Sequence, residues 1–252
     1  MTPPAIVLRN VVLSHDRHPA VHHLSGQFAP GSLTAIAGPN GAGKSTLLRA
    51  IAGLHRLDDG TIDRGPLHPS DIALLPQAST LDRGFPLSCR DVVALGHWGR
   101  TGAFRPITRA MLEAVHGALH QLGMEAAADR PIGALSAGQF QRILFARLLV
   151  QDSPVILLDE PFTALDNRTA TDLLAVIQAW HAAGKTVIAV LHDLDLIRRE
   201  FPETLLLARD PIAWGPTPIV LSPANRLRAR MASDAWTHEQ GIDDSEICRT
   251  AA

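Results

Sequence analysis

Tyrosine is absent from this chain, cysteine occurs twice, and aromatic residues make up only 4% of its 252 residues. The cysteines, Cys89 and Cys248, stand far apart. That excludes a disulfide framework and the ligand spacing of a zinc finger, and fits a reducing, intracellular setting. Long hydrophobic runs are missing too. The longest aliphatic stretches, 155–158 and 187–191, have the length of core strands, whereas a membrane span needs about 20 apolar residues. Work at a membrane would therefore proceed by docking on another protein. The opening Met1-Thr2-Pro3-Pro4 has neither a basic nor an apolar leader, so no secretory signal is expected. Excess positive charge is also lacking. A formal net charge of -2 and a pI near 6.6 argue against nucleic acid as a partner.

What is present is the composition of a folded domain, 46% hydrophobic and 19% charged, without repeats or low-complexity tracts. Apolar patterning predicts strands over 6–12, 23–28 and 33–37, then a helix over 44–52 with Leu47, Leu48 and Ile51 as its apolar face. Asp58, Asp59 and Gly60 read as a turn, and 72–75 as a strand closed by Pro76. Helical spacing runs through 91–95, 109–122 and 139–150. Strands at 155–158, 186–191 and 204–208 then alternate with helices at 169–183 and 194–199. Near-continuous aliphatic strands alternating with helices imply a parallel sheet covered on both faces, here interrupted by a helical insert.

Gly38-Pro39-Asn40-Gly41-Ala42-Gly43-Lys44-Ser45-Thr46 fits G-x-x-x-x-G-K-[ST] between a predicted strand and a predicted helix. Glycines let several backbone N–H groups converge on one phosphate, and the helix adds its positive end. Lys44 would bridge the β- and γ-phosphates of a nucleoside triphosphate, and the Ser45 hydroxyl would ligate Mg²⁺. Downstream, the strand 155–158 runs into Asp159 and Glu160. At the carboxyl edge of a parallel sheet, Asp159 would hold Mg²⁺ and Glu160 would polarise an attacking water as general base.

Leu135-Ser136-Ala137-Gly138-Gln139 resembles the LSGGQ signature of the ATP-binding cassette ATPases, and is also a capping box opening a helix. Other elements of that family follow in order. Gln77, after Leu74-Leu75-Pro76, resembles the Q-loop glutamine, which is also a Mg²⁺ ligand. Ala164-Leu165-Asp166 resembles the D-loop, and His192 the switch histidine at the γ-phosphate. The resemblance covers 5–215. It implies an α/β fold: a P-loop NTPase core with a mostly parallel sheet, an antiparallel β subdomain and an inserted α-helical subdomain. The expected division is 1–84 and 151–217 for the nucleotide-binding core, 85–150 for the helical signature subdomain and 218–252 for a peripheral tail. It further implies ATP and Mg²⁺ as cofactors. Two copies would close head to tail, the signature of one meeting the ATP held by the other.

Three departures from the family pattern stand out. Ala137 replaces the usual glycine, and Phe140 stands where a basic residue is common. With tyrosine absent, His15 takes the place of the aromatic that stacks on adenine. The stretch 85–96 resembles metal-ion importers, with zinc the first cargo and manganese the next. Phe85, Leu87 and Trp98 are candidate groove residues for a separate integral membrane permease. An extracytoplasmic solute-binding protein would be an indirect partner, and the chain would sit on the cytoplasmic face of the inner membrane. The histidines His15, His18, His22 and His23 read as an exposed loop rather than a metal site. An iron-chelate importer and a soluble cassette ATPase acting on nucleic acid or ribosomes are the alternatives. A GTPase would need N-K-x-D, which is absent.

Overall fold

The computed structural model describes residues 3–15, 18–102 and 104–232. In chain order the strands are β1 (Ile6–His15), β2 (His18–Phe28), β3 (Leu33–Ala37), β4 (Asp59–Asp63), β5 (Ile72–Leu75), β6 (Val155–Asp159), β7 (Thr186–Val190), β8 (Glu203–Ala208) and β9 (Asp210–Pro216). The helices are α1 (Lys44–Ile51), α2 (Cys89–Ala94), α3 (Trp98–Thr101), α4 (Arg109–Gln121), α5 (Ala137–Gln151), α6 (Asn167–Ala182), α7 (Leu194–Glu200) and α8 (Thr217–Val220). A further helix runs over 223–232. Among the described residues, no helix is long and apolar enough to cross a membrane.

Two compact units emerge, Ala5–Phe28 with Leu33–Arg64 and Val190–Ala252, and Met1–Pro4 with Ala29–Ser32 and Gly65–Ala189. In the first, every residue of β3 is buried. It runs parallel to β8, with Ala37 opposite Leu206, and β8 pairs antiparallel with β9. An antiparallel sheet, β2-β1-β4, buries Ile6, Leu8, Val11, Val21 and Leu24. Phe28 at its edge packs on Trp214 of β9, ring centroids 4.6 Å apart. The predicted apolar face of α1, Leu47, Leu48 and Ile51, is buried as its spacing implies. Arg64 closes the C-terminal end of that helix, donating to the carbonyls of Ala50 at 2.6 Å and Ile51 at 2.7 Å.

Two readings of this unit are corrected by the structure, and one element is added. The Asp-Gly signal at 58–60 is the start of β4, not a free turn. Gly60 sits at φ +83°, where a Cβ would lie 2.2 Å from the Asn10 carbonyl oxygen. The strand predicted from residue 23 begins at His18, so His18, His22 and His23 lie on β2 rather than in an exposed loop. The added element is β9, an edge strand whose Pro211, Gly215 and Pro216 leave no apolar alternation to predict it from. The tail is tied down at Val220, Leu221 and Ala229, all buried. Residues 233–252, including Cys248, lie outside the described residues.

In the second unit, β5 runs parallel to β6, with Leu75 opposite Leu158. Helices α2, α4 and α5 pack together over Val93, Val115, Leu119, Ile143 and Leu144. Their starts follow from side-chain caps. Ser88, Thr108 and Ser136 each accept a backbone N–H three residues on. Helix α5 is bound along its middle turns. Arg147, its pKa lowered by burial, donates to the Leu74 carbonyl at 2.7 Å, and Arg142 pairs with Asp172 at 2.6 Å. At its centre, fully buried Phe145 stacks on Trp180 of α6 with centroids 5.6 Å apart. Phe145→Ala is expected to lower the stability of the chain by about 3–5 kcal/mol, measured as an earlier urea midpoint.

Candidate active site

The phosphate-loop residues are built on the end of β3. Gly38, at φ +149°, directly follows the last buried residue, Ala37, and a Cβ there would stand 1.8 Å from the Leu207 carbonyl oxygen. Gly43 takes a left-handed conformation (φ 83°) as the N-cap of α1, and no side chain caps that helix. A helix N-terminus opened by a glycine rather than a capping side chain is an arrangement that can receive an anion. Lys44 is buried and folds back, donating from Nζ to the carbonyls of Gly38 at 2.9 Å and Pro39 at 2.7 Å. Ser45 and Thr46 follow, half-buried, in the first turn.

His192 belongs to the same unit. The Leu191 amide donates to Ile36 of β3 at 3.1 Å, and Asp193 caps α7 by accepting from the amides of Asp195 and Leu196. The exposed imidazole is therefore held between a strand bond and a helix cap. It lines a cleft of about 530 Å³ with Gly38, Pro39, Arg226 and Arg230. The side chain of His15, the predicted adenine partner, lies outside the described residues, as do Asp16 and Arg17.

The carboxylates belong to the other unit. β6 is buried throughout and ends on Asp159, 3% exposed. Glu160 then turns the chain at φ 51°, a left-handed conformation rare for a residue with a Cβ. The register Leu75 opposite Leu158 carries forward two residues on each strand, which brings Gln77 beside Glu160. Gln77 Nε2 donates to Glu160 Oε2 at 3.1 Å, and Thr163 Oγ1 donates to the same oxygen at 3.0 Å. A carboxylate aimed by two donors can take a proton from a water in a defined direction. A cleft of about 240 Å³ lies there, lined by Gln77, Ala137, Glu160 and Thr163 among others.

The signature loop is a capping box in fact as well as in pattern. Ser136 Oγ accepts the Gln139 amide at 3.2 Å, and Gln139 Oε1 accepts the Ser136 amide at 3.1 Å. Ala137 is the first residue of α5 and has no positive φ, so glycine is not required there. Gly138 faces the start of α6, a Cβ there meeting Thr169 at 3.5 Å and Asp166 Oδ2 at 3.9 Å. Asp166 caps α6, accepting from the Thr169 amide and hydroxyl, both at 2.9 Å. Sequence reasoning missed Thr163 and Gln141. Thr163 lies three residues beyond Glu160, a spacing that points to a turn. Gln141 is buried and donates to the Pro161 carbonyl at 2.9 Å, a contact 20 residues apart that no local pattern announces.

The family model of the ABC transporters matches residues 21–163. The chain belongs to the ABC transporter family. Its ATPase domain is 37% identical to the manganese transport system ATP-binding protein MntB of Halalkalibacterium halodurans, over 87% of this chain and 89% of that one. It is likewise 37% identical to the zinc transport system ATP-binding protein TroB of Treponema pallidum, over 84% and 81%. The inward-facing structure of a proposed metal-chelate type ABC transporter superimposes with a TM-score of 0.78 at 28% identity, covering 88% of this chain and 86% of that one. The ADP conformation of an ATP-binding cassette superimposes at 0.76 and 23% identity, over 92% and 99%, which shows the shared P-loop fold.

In this ABC ATPase the Thr169 amide, and after it the Thr169 hydroxyl, hold the Asp166 carboxyl below the usual carboxylate range. The cap therefore contributes stability at pH above the ordinary carboxylate value and loses it as the pH falls through the lowered one. Thr169→Val keeps the volume and removes the hydroxyl donor. The Asp166 carboxyl is then expected to titrate closer to its ordinary value, followed by carboxylate NMR shifts during acid titration.

Proposed function

We propose that this chain is the ATP-hydrolysing subunit of an importer for a divalent metal ion, working as two copies docked on a separate membrane permease at the cytoplasmic face. The observation that carries the hydrolytic part is the Glu160 carboxylate, directly after buried Asp159, with one oxygen fixed by Gln77 and Thr163. Glu160 is the general base that draws a proton from the attacking water. Gln77 aims it, and His192 contacts the γ-phosphate. Residues 38–46 wrap the phosphates with backbone N–H groups, Lys44 leaving its loop carbonyls for the β- and γ-phosphates. His15 stacks on the base. Ser136 to Gln139 present the amide end of α5 to ATP held by the second copy, with Asp166 beside them.

Ser45, Gln77 and Asp159 offer oxygen donors, the type that Mg²⁺ takes, and a carboxylate as buried as Asp159 favours a cationic neighbour. These three residues would hold Mg²⁺, which when bound would supply positive charge against that developing on the phosphate. Exposed Phe85 and Trp98, 60% and 58% accessible, with Leu87, supply an apolar surface for the permease. An extracytoplasmic binding protein would deliver cargo to that permease.

The cargo reading rests on relatives named for manganese and for zinc. A metal chelate is the second reading, favoured by the likeness to a transporter of that type. ATP-driven uptake of Mn²⁺, Zn²⁺ and a ferric chelate into proteoliposomes holding this chain and its permease separates the three. For the mechanism, Glu160→Gln is expected to retain ATP binding, lose about 100-fold or more in turnover and accumulate as an ATP-bound dimer in sedimentation. Normal hydrolysis by a monomer would remove the mechanism.

A further inference from the structure

Phe140 departs from the basic residue common at its position, and the structure supplies a cation from elsewhere. The Phe140 ring is buried in the first turn of α5, 2% exposed. Arg83 lies over it, its Cζ 4.8 Å from the ring centroid. The same guanidinium donates from Nη2 to the carbonyl of Leu135 and, at 3.4 Å, to that of Ile132. Leu135 is the residue directly ahead of Ser136. The backbone is close as well, since a Cβ on Gly133 would stand 2.9 Å from the Arg83 carbonyl oxygen. Arg83 thus touches the signature helix at the Phe140 ring and the loop before it at two carbonyls. It also lines the cleft that holds Gln77, Ala137 and Glu160. A planar guanidinium can stack and donate in its own plane at once, which an ammonium cannot.

We propose that Arg83 is a positioning residue that ties the segment after Gln77 to the signature loop and sets the direction of the amides of Ala137 and Gly138. The inference rests on the reading above, in which those amides meet ATP on a second copy.

The test uses Arg83→Ala, Arg83→Lys and Phe140→Leu in the full chain, alone and with Glu160→Gln. Expected for Arg83→Ala is ATP-driven dimerisation weakened about tenfold in the Glu160→Gln background, with a lower kcat in its absence. Binding of a fluorescent ATP analogue to the monomer should stay unchanged, because the phosphate loop is untouched. In the ATP-free chain, hydrogen exchange at Ser136 to Gln139 should quicken. Arg83→Lys should recover part of each loss, and adding Phe140→Leu to Arg83→Ala should bring little more, since the two share one interaction. The inference is overturned if Arg83→Ala lowers only the melting temperature while kcat and exchange at Ser136 to Gln139 match the parent. Should Glu160→Gln itself fail to pair with ATP, the two-copy reading fails. Amide exchange in Arg83→Ala then decides the link by itself.

Discussion

There is no room for a side chain at residue 38. β8 is locked beside β3 by the pair Ala37 and Leu206, and the next carbonyl of β8, on Leu207, occupies the place of a Cβ. The chain leaves β3 at once, through a backbone conformation open to glycine. Gly43 then returns it, left-handed, into α1. The strand end, the loop and the helix start are thereby set within a few residues, and Lys44 is folded onto the carbonyls of the loop it closes. The placement of His192 is measured from the same strand, because the residue before it bonds to Ile36. The loop is thus held both by a steric limit at residue 38 and by the two bonds from Lys44.

The carboxylate site obeys a parallel logic with a different device. Glu160 holds a left-handed φ that disfavours a residue with a Cβ by about 1–2 kcal/mol. Buried β6 fixes the chain up to Asp159, and two donors, one from β5's continuation and one three residues on, take the carboxylate as it emerges. Local strain of this kind persists where the surroundings over-determine it. The result is a carboxylate whose direction is set before any substrate arrives, which is what a general base needs to act on a single water.

The sequence made the motif residues and the aliphatic strands legible, because both are local signals. A run such as 155–158 has few other fates than a buried strand, and Ser136 with Gln139 names a helix start from two positions alone. β4 and β9 were hidden because each is half-exposed, and their Gly, Pro and Asp read more readily as turns. The contact between Gln77 and Glu160 was equally hidden, although both residues were singled out. It depends on which strand pairs with which and in what register, and β5 and β6 are separated by the whole helical insert. Phe140 was visible as a departure, but its partner Arg83 belongs to a segment with no recognisable pattern.

Two departures, one within the signature and one directly after it, differ in what they ask of the structure. Ala137 stands in the first turn of a helix with an ordinary φ, so the backbone there does not require glycine. The capping pair Ser136 and Gln139 is different in kind, since each side chain satisfies an amide of the other and so decides which amides remain for a phosphate. Phe140 is different again. An apolar ring buried under a guanidinium preserves a positive group close to the loop, although the charge now comes from residue 83. The direction of the backbone donors in this loop therefore depends on a capping pair, a buried ring and a guanidinium from residue 83 acting together.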